Sequence, residues 1–320
     1  MRILFFGDGE WAARSLICLA QKGEELLGVV VRVNPGNPAL LKSAHASGLP
    51  IFQPAQVNNP EFVAQVAALG PDLNLSVSYD QILRGPVLKT APKGFINFHA
   101  GKLPFYRGRN VINWALINGE KEIGLTAHYV NEGIDTGDII LQRTLPVSRT
   151  DGYGDVLERV VAAFPDLVAD TVSLIANGQV EPQPQLHLHG TYFSRRQNGD
   201  EWLDWSDTSR NLYNKIRAIT HPGPGAITLL DGRVVTIWQA FYDPAWPTYI
   251  ATPGQVVGIC PNQGVMVKTG DSTLLIQKVQ PKQGEPHTPK WRIGARIGMN
   301  LIDYLCSLEA RIAALENHAA

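Results

Sequence analysis

Ile3-Leu4-Phe5-Phe6-Gly7-Asp8-Gly9 leads directly into Trp11-Ala12-Ala13-Arg14-Ser15-Leu16-Ile17-Cys18-Leu19-Ala20-Gln21, which stops at Gly23. A short apolar run ending in a Gly-Asp-Gly turn reads as a strand buried on both faces. The second run has apolar residues near helical spacing and a glycine stop, so it reads as a helix. Residues 26–33 are again apolar and strand-like. Further helices are expected over 40–46, 61–69, 111–118 and 152–177. Further strands are expected at 51–52, 73–78, 94–99, 124–130 and 138–146. Alternating strands and helices predict an α/β domain whose mostly parallel sheet is covered on both faces. Ligands in such sheets sit at the carboxyl ends of the strands.

The pattern changes at Glu181-Pro182-Gln183-Pro184-Gln185, where the prolines prevent a helix. The expected organisation is a catalytic domain over 1–180, a linker over 181–190, a smaller β-rich domain over 191–298 and a C-terminal helix over 299–320. The β-rich region is read from short runs at 234–238, 254–259, 264–269 and 273–279, separated by turn residues, which points to a small barrel or sheet. In the terminal helix Leu301, Leu305, Leu308, Ile312 and Leu315 fall at alternating spacings of four and three. That seam suits packing on its own domain or pairing in a homodimer.

Hydrophobic residues make up 44% of the 320 positions and charged residues 18%, which is enough for a sizeable core and argues against disorder. The formal net charge of −1 provides no global field for nucleic acid or an anionic membrane. Cys18, Cys260 and Cys306 are far apart and lack zinc or redox spacing. With no signal-peptide core and no apolar run near the roughly 20 residues a membrane span needs, the expected location is the cytoplasm. Gly7-Asp8-Gly9 has Ala12 where a dinucleotide loop has its third glycine, so no NAD site is expected. His187 and His189 alternate without further ligands, and no metal is expected.

The stretch that carries chemistry is Ile96-Asn97-Phe98-His99-Ala100-Gly101-Lys102-Leu103-Pro104-Phe105-Tyr106-Arg107-Gly108-Arg109-Asn110. Asn97 and His99 are two residues apart at a strand end and share a face. The amide can donate to a developing oxyanion, and the imidazole exchanges a proton near neutrality. Glu132-Gly133-Ile134-Asp135-Thr136-Gly137-Asp138 adds a tight loop with available carboxylates. A carboxylate near His99 would orient the ring and raise its basicity. Together the three residue types suit acyl transfer to an amine.

These motifs, with Leu103-Pro104, Gly124-Leu125-Thr126 and Gly133-Ile134-Asp135-Thr136-Gly137-Asp138 in this order, strongly resemble the folate-dependent formyltransferase family. The likeness spans residues 1 to about 280. It implies a Rossmann-like catalytic domain, an OB-like C-terminal β domain and N10-formyltetrahydrofolate as donor. It also implies Asn97, His99 and Asp135 as the catalytic set, and Tyr79, Ile82 and Asp138 on the folate side. Gly101-Lys102 departs from the family's usual Ser-Leu, leaving Lys102 either facing solvent or meeting the acceptor. Arg107 and Arg109 are candidates for a pyrophosphate or for loop-stabilising bridges.

The family formylates tRNA, amino sugars and other amines such as hydroxyornithine. The tRNA members usually carry a basic insertion after the second strand, whereas residues 33–42 here are short and nearly uncharged. On that ground, and on the likeness of residues 106–114 to sugar-formylating members, the expected acceptor is a nucleotide-linked amino sugar, as in lipopolysaccharide-type pathways. Nucleic acid is then not an expected partner.

Overall fold

The protein is seen in a computed structural model that describes residues 1–34, 37–185, 190–298, 305–306, 308–313 and 315. The histidine pair at 187 and 189, Leu301, and Pro35 and Gly36 of the expected loop lie outside the described residues. The chain divides into two compact units, one of residues 1–115 with 120–196 and one of 116–119 with 197–320.

The chain runs β1 (Arg2–Gly7), α1 (Gly9–Gln21), β2 (Glu25–Val30), α2 (Ala39–Ala46), β3 (Ile51–Phe52), α3 (Pro60–Leu69) and β4 (Leu73–Val77). After a 3-10 turn at Gly85–Lys89 come β5 (Phe95–His99), β6 (Arg107–Gly108) and α4 (Val111–Ile117). Then follow β7 (Glu122–Tyr129), β8 (Ile139–Pro146), α5 (Tyr153–Ala176) and β9 (Tyr192–Phe193). The main sheet has the order β3-β2-β1-β4-β5-β7-β8. The pairs from β3 through β5 are parallel, and β7 and β8 join antiparallel. Strand order therefore reverses beside β1, and the carboxyl ends of β1, β4 and β5 open at that switch point.

Ile3, Leu4, Phe5 and Phe6 are fully buried, as the continuous apolar run requires for a strand covered on both faces. Phe6 meets Phe95 of β5 at 4.8 Å between ring centroids. On another surface Trp11 of α1 packs on Phe164 of α5 at 4.9 Å. Each fully buried aromatic or aliphatic side chain of this kind contributes about 1.5–3 kcal/mol. Entry to α3 is set by Asn59, whose side chain accepts from Glu61 N at 2.9 Å, and by Pro60 at the first helical position.

The second unit contains α6 (Ser209–Ile219), β10 (Ala226–Leu230), β11 (Arg233–Phe241), β12 (Val256–Cys260), β13 (Gly264–Lys268) and β14 (Thr273–Pro281). Its antiparallel sheet has the order β10-β11-β14-β13-β12. Isolated bridges from Ile297 to Leu230 and from Arg296 to Gln255 join the two edge strands through one short segment, giving the barrel-like region expected from the turn-separated β runs. Residues 305–306, 308–313 and 315 are helical, with Leu305, Ile312 and Leu315 exposed.

Two segments differ from the expected linker. Gln183 and Ile139 exchange backbone hydrogen bonds at 2.8 and 2.9 Å. Residues 190–196 also stay with the first unit, because β9 pairs with β6. Prolines forbid a helix there, but they leave neighbouring carbonyls and amides free to pair. Among the described residues no helix is long and apolar enough to cross a membrane.

Candidate active site

Asn97 and His99 sit at the end of β5, and Asp135 reaches them from the loop between β7 and β8. Asn97 Nδ2 donates to Asp135 Oδ1 at 3.3 Å. His99 Nδ1 lies 3.7 Å from Asp135 Oδ2. His99 Nε2 is 2.6 Å from the Tyr106 carbonyl, and a carbonyl only accepts, so Nε2 carries a proton and Nδ1 is the exchangeable position. Asp135 adopts φ +52°, in the left-handed region that Asp tolerates better than most residues. Its Oδ2 accepts from Gly108 N at 2.8 Å. Burial alone would push the Asp135 carboxyl up. The His99 charge, the hydrogen bond and charge of His128 and the Gly108 amide together hold it well below the ordinary carboxylate value.

A second histidine completes the group. His128 of β7 is the register partner of Asn97. Its Nε2 lies 3.2 Å from Asn97 Nδ2 and 3.5 Å from Asp135 Oδ1. Sequence reasoning missed it, although a signal was present: Thr126 and His128 alternate on one face of an otherwise apolar strand.

Gln185 was also missed. It is 4% exposed, and its Nε2 donates to the carbonyls of Asp135 at 2.9 Å and Gly137 at 2.7 Å. Its Oε1 accepts from Arg107 Nε at 3.1 Å and Nη2 at 2.7 Å. Arg107 is fully buried, and it also donates to the Tyr192 hydroxyl at 3.3 Å. Of the two readings of Arg107, pyrophosphate or loop-stabilising contact, the observed contacts are of the second kind: its fork is spent inside the fold, clamping the segment that braces Asp135.

Gly101 is a position of close approach. A Cβ there would collide with the Tyr106 carbonyl and with His99 Nε2. Gly101→Ala should displace the imidazole and lower kcat by about 100-fold, since an error near 1 Å has that cost. Turnover within threefold of wild type would show that His99 tolerates the shift.

The formyl transferase family profile matches residues 1–172, and the profile of the formyl transferase C-terminal domain matches 196–293. The chain belongs to the formyl transferase family. It is an N10-formyltetrahydrofolate-dependent formyltransferase. The methionyl-tRNA formyltransferase of Symbiobacterium thermophilum is 36% identical over 291 residues, covering 88% of each chain. That of Bacillus subtilis is 34% identical over 289 residues, covering 88% of this chain and 90% of its own. A crystal structure of the N-formyltransferase from Helicobacter canadensis, with folinic acid and dTDP-3-aminofucose, superposes with a TM-score of 0.65 at 19% identity, covering 86% of this chain and 98% of its own. That last likeness is one of fold.

These relatives overturn the expectation of a nucleotide-sugar acceptor and of no nucleic-acid partner, which rested on residues 33–42 of the formyltransferase and on the likeness of residues 106–114 to sugar-formylating members. One uncharged loop says nothing of basic residues elsewhere. Lys278, Lys282, Lys290, Arg292 and Arg296 are all exposed and share their stretch with a single acid, Glu285.

Tyr79, which the family resemblance puts on the folate side, stands edge-on to Phe6 at 5.6 Å. Its hydroxyl is buried and makes no hydrogen bond among the described residues. Burial pushes that hydroxyl's pKa up, with Asp80 adding to the shift and Arg32 opposing it. Ile82 is 47% exposed, while its carbonyl accepts from Asn58 Nδ2 at 2.8 Å. The loop carrying Tyr79 and Ile82 is tied to the Asp135 loop by Gly85 N donating to Glu132 Oε1 at 3.1 Å. An orphaned hydroxyl and an exposed apolar side chain on one loop fit a flat ring with polar edges, as in a pterin. Asp138 is exposed, and its carbonyl accepts from Tyr129 N at 3.0 Å.

Lys102 and Arg109 lie apart from the catalytic cluster's hydrogen bonds. Lys102 is half-exposed and pairs with Glu122 at the surface. Arg109 is exposed and donates to the Asp80 carbonyl at 3.0 Å, linking its loop to the one that carries Tyr79 and Ile82.

Proposed function

We propose that this formyltransferase transfers the formyl group of N10-formyltetrahydrofolate to the α-amine of methionyl-tRNA, in the cytoplasm. The observation that carries the reading is the match to methionyl-tRNA formyltransferases at 36% identity over most of both chains. The exposed basic stretch between Lys278 and Arg296 supports it, since phosphate contacts need such residues.

In the reaction Asn97 supplies an amide hydrogen to the formyl oxygen as that oxygen gains charge. His99 and Asp135 move the proton from the attacking amine towards the folate nitrogen through water. Asp135, ionised throughout the neutral range, stabilises the His99 imidazolium. The Gln185 and Gly108 contacts keep the carboxylate in place, so little reorganisation is needed when charge develops.

The test is turnover with N10-formyltetrahydrofolate and methionyl-tRNA, read as formylmethionyl-tRNA by mass, at 50 to 200 mM salt. Formylation is expected. If all five exposed cations meet phosphates, the logarithm of tRNA affinity should fall with the logarithm of salt at a slope of about −4. Charge removal at Lys290 and Arg292 together should flatten that slope by about two. Failure to formylate charged tRNA, with turnover on another amine, would replace the acceptor and leave the chemistry standing.

A further inference from the structure

His128 Nδ1 lies 2.8 Å from the Tyr129 carbonyl, an acceptor only, so that nitrogen always carries a proton. Only the partners of Nε2 can then change. A bare Nε2 accepts from Asn97 Nδ2 at 3.2 Å while its lone pair faces Asp135 Oδ1 at 3.5 Å. Asn97 Nδ2 has two hydrogens, and it also contacts Asp135 at 3.3 Å. With His128 neutral both amide hydrogens are taken, one by Asp135 and one by His128, and none is left for a formyl oxygen. With His128 protonated, Nε2 can no longer accept and donates to Asp135 instead, which releases one Asn97 hydrogen.

We propose that His128 is a positioning residue that acts as an imidazolium, donating to Asp135 and thereby freeing Asn97 to bind the formyl oxygen. The proposal rests on the reading of Asn97, His99 and Asp135 as the catalytic set. The ring is 2% exposed, which excludes bulk water as the partner of Nε2. Among the described residues the charged group within reach of its Nε2 is Asp135, from the loop after β7, and Asp135 in turn faces His99 of β5. On β8 its register partner is the apolar Ile139. Arg107 adds a buried positive charge behind Gln185, and among the described residues Asp135 is the single carboxylate that pairs with both rings. A bare Nε2 would set its lone pair against the Asp135 carboxylate oxygen at 3.5 Å, whereas a proton on it turns the same approach into a charge-assisted donor contact.

The direct test is ring-nitrogen NMR of the 15N-labelled full-length protein between pH 6 and 9, with His128 assigned by the signal lost in H128Q. Both ring nitrogens should be protonated at pH 7, and Nε2 should give up its proton at lower pH in D135N. A bare Nε2 across the whole range would overturn the proposal. Kinetics supply the second readout. H128A should lower kcat by about 10- to 100-fold, as for other residues that orient a reacting group, with the KM for the folate substrate nearly unchanged. H128Q keeps an amide donor towards Asp135 that does not titrate. It should recover most of kcat and show a flatter high-pH limb of the kcat profile than wild type. H128N keeps the donor towards Tyr129 and cannot reach Asp135, so it should retain wild-type Tm with the low kcat of H128A. Equal pH profiles for wild type and H128Q would also overturn the proposal. Absence of wild-type turnover on methionyl-tRNA would count against the acceptor alone, because the spectra decide the state of His128 without it.

Discussion

Asp135→Asn should turn over about 10³- to 10⁴-fold more slowly than wild type, as when a carboxylate that orients a catalytic histidine becomes an amide. The side chain keeps its shape, so the loop and its Gln185 brace should persist. The electrostatics do not persist. Asp135 accepts from Gly108 N at 2.8 Å and from Asn97 Nδ2 at 3.3 Å, and it faces both imidazoles. If the new amide oxygen stays on Gly108, its NH₂ group meets the Asn97 NH₂ and His128, which sets donor against donor. His99 also loses the negative charge that stabilises its imidazolium. A stability effect accompanies the kinetic one. The folded carboxyl titrates below its ordinary value of 3.8, so its contribution is complete above that value and is lost as pH falls through the lower folded value. Wild type should therefore lose stability below about pH 4, and the Asn variant should lack that component. Single-turnover rates and Tm against pH measure both effects. A rate within tenfold of wild type would remove Asp135 from the proton relay.

How much of this was legible beforehand depended on how local each determinant is. Ile3 to Phe6 and the glycine-stopped helix after them are short-range patterns, and the parallel sheet follows from their repetition. Asn97 and His99 were legible because strand alternation places them on one face. The identity of their carboxylate partner came from the family resemblance, since a turn containing Asp135 and Asp138 does not say which of them turns inward. His128 was hidden because its role depends on register across two strands, with Asn97 opposite it. Gln185 was hidden because a Pro-Gln-Pro-Gln tract has the composition of an exposed linker, yet this glutamine is buried with both heteroatoms bonded. Arg107 stayed between two readings for the related reason that arginine in a glycine-flanked loop is usually solvated. The acceptor was misjudged from the charge of one loop and a local likeness over residues 106–114, while the exposed basic residues lie some 240 positions beyond that loop.

The largest stability effect is expected at Arg107. Arg107→Ala should destabilise the first unit by about 3–5 kcal/mol, lowering Tm by about 10 °C for a unit of this size. Three losses combine. The side chain is fully buried, so truncation opens a cavity that the β6–β9 pair cannot fully close. Gln185 Oε1 loses both of its donors and is left buried without a partner. The guanidinium also leaves the Tyr192 ring, over which it sits at 5.3 Å. Arg107→Met separates these contributions. It refills most of the volume and removes the desolvated charge, so its cost should be about half that of alanine, the remainder being the orphaned glutamine oxygen. Activity should fall in both variants even at temperatures where they are folded, because Gln185 holds the Asp135 and Gly137 carbonyls. Adding Gln185→Leu to Arg107→Met removes the orphan and should restore part of the stability while leaving turnover low. Full stability of Arg107→Ala would mean that the Arg107–Gln185 clamp is dispensable. Full activity of the Arg107→Met, Gln185→Leu pair would mean that Gly108 alone suffices to hold the carboxylate.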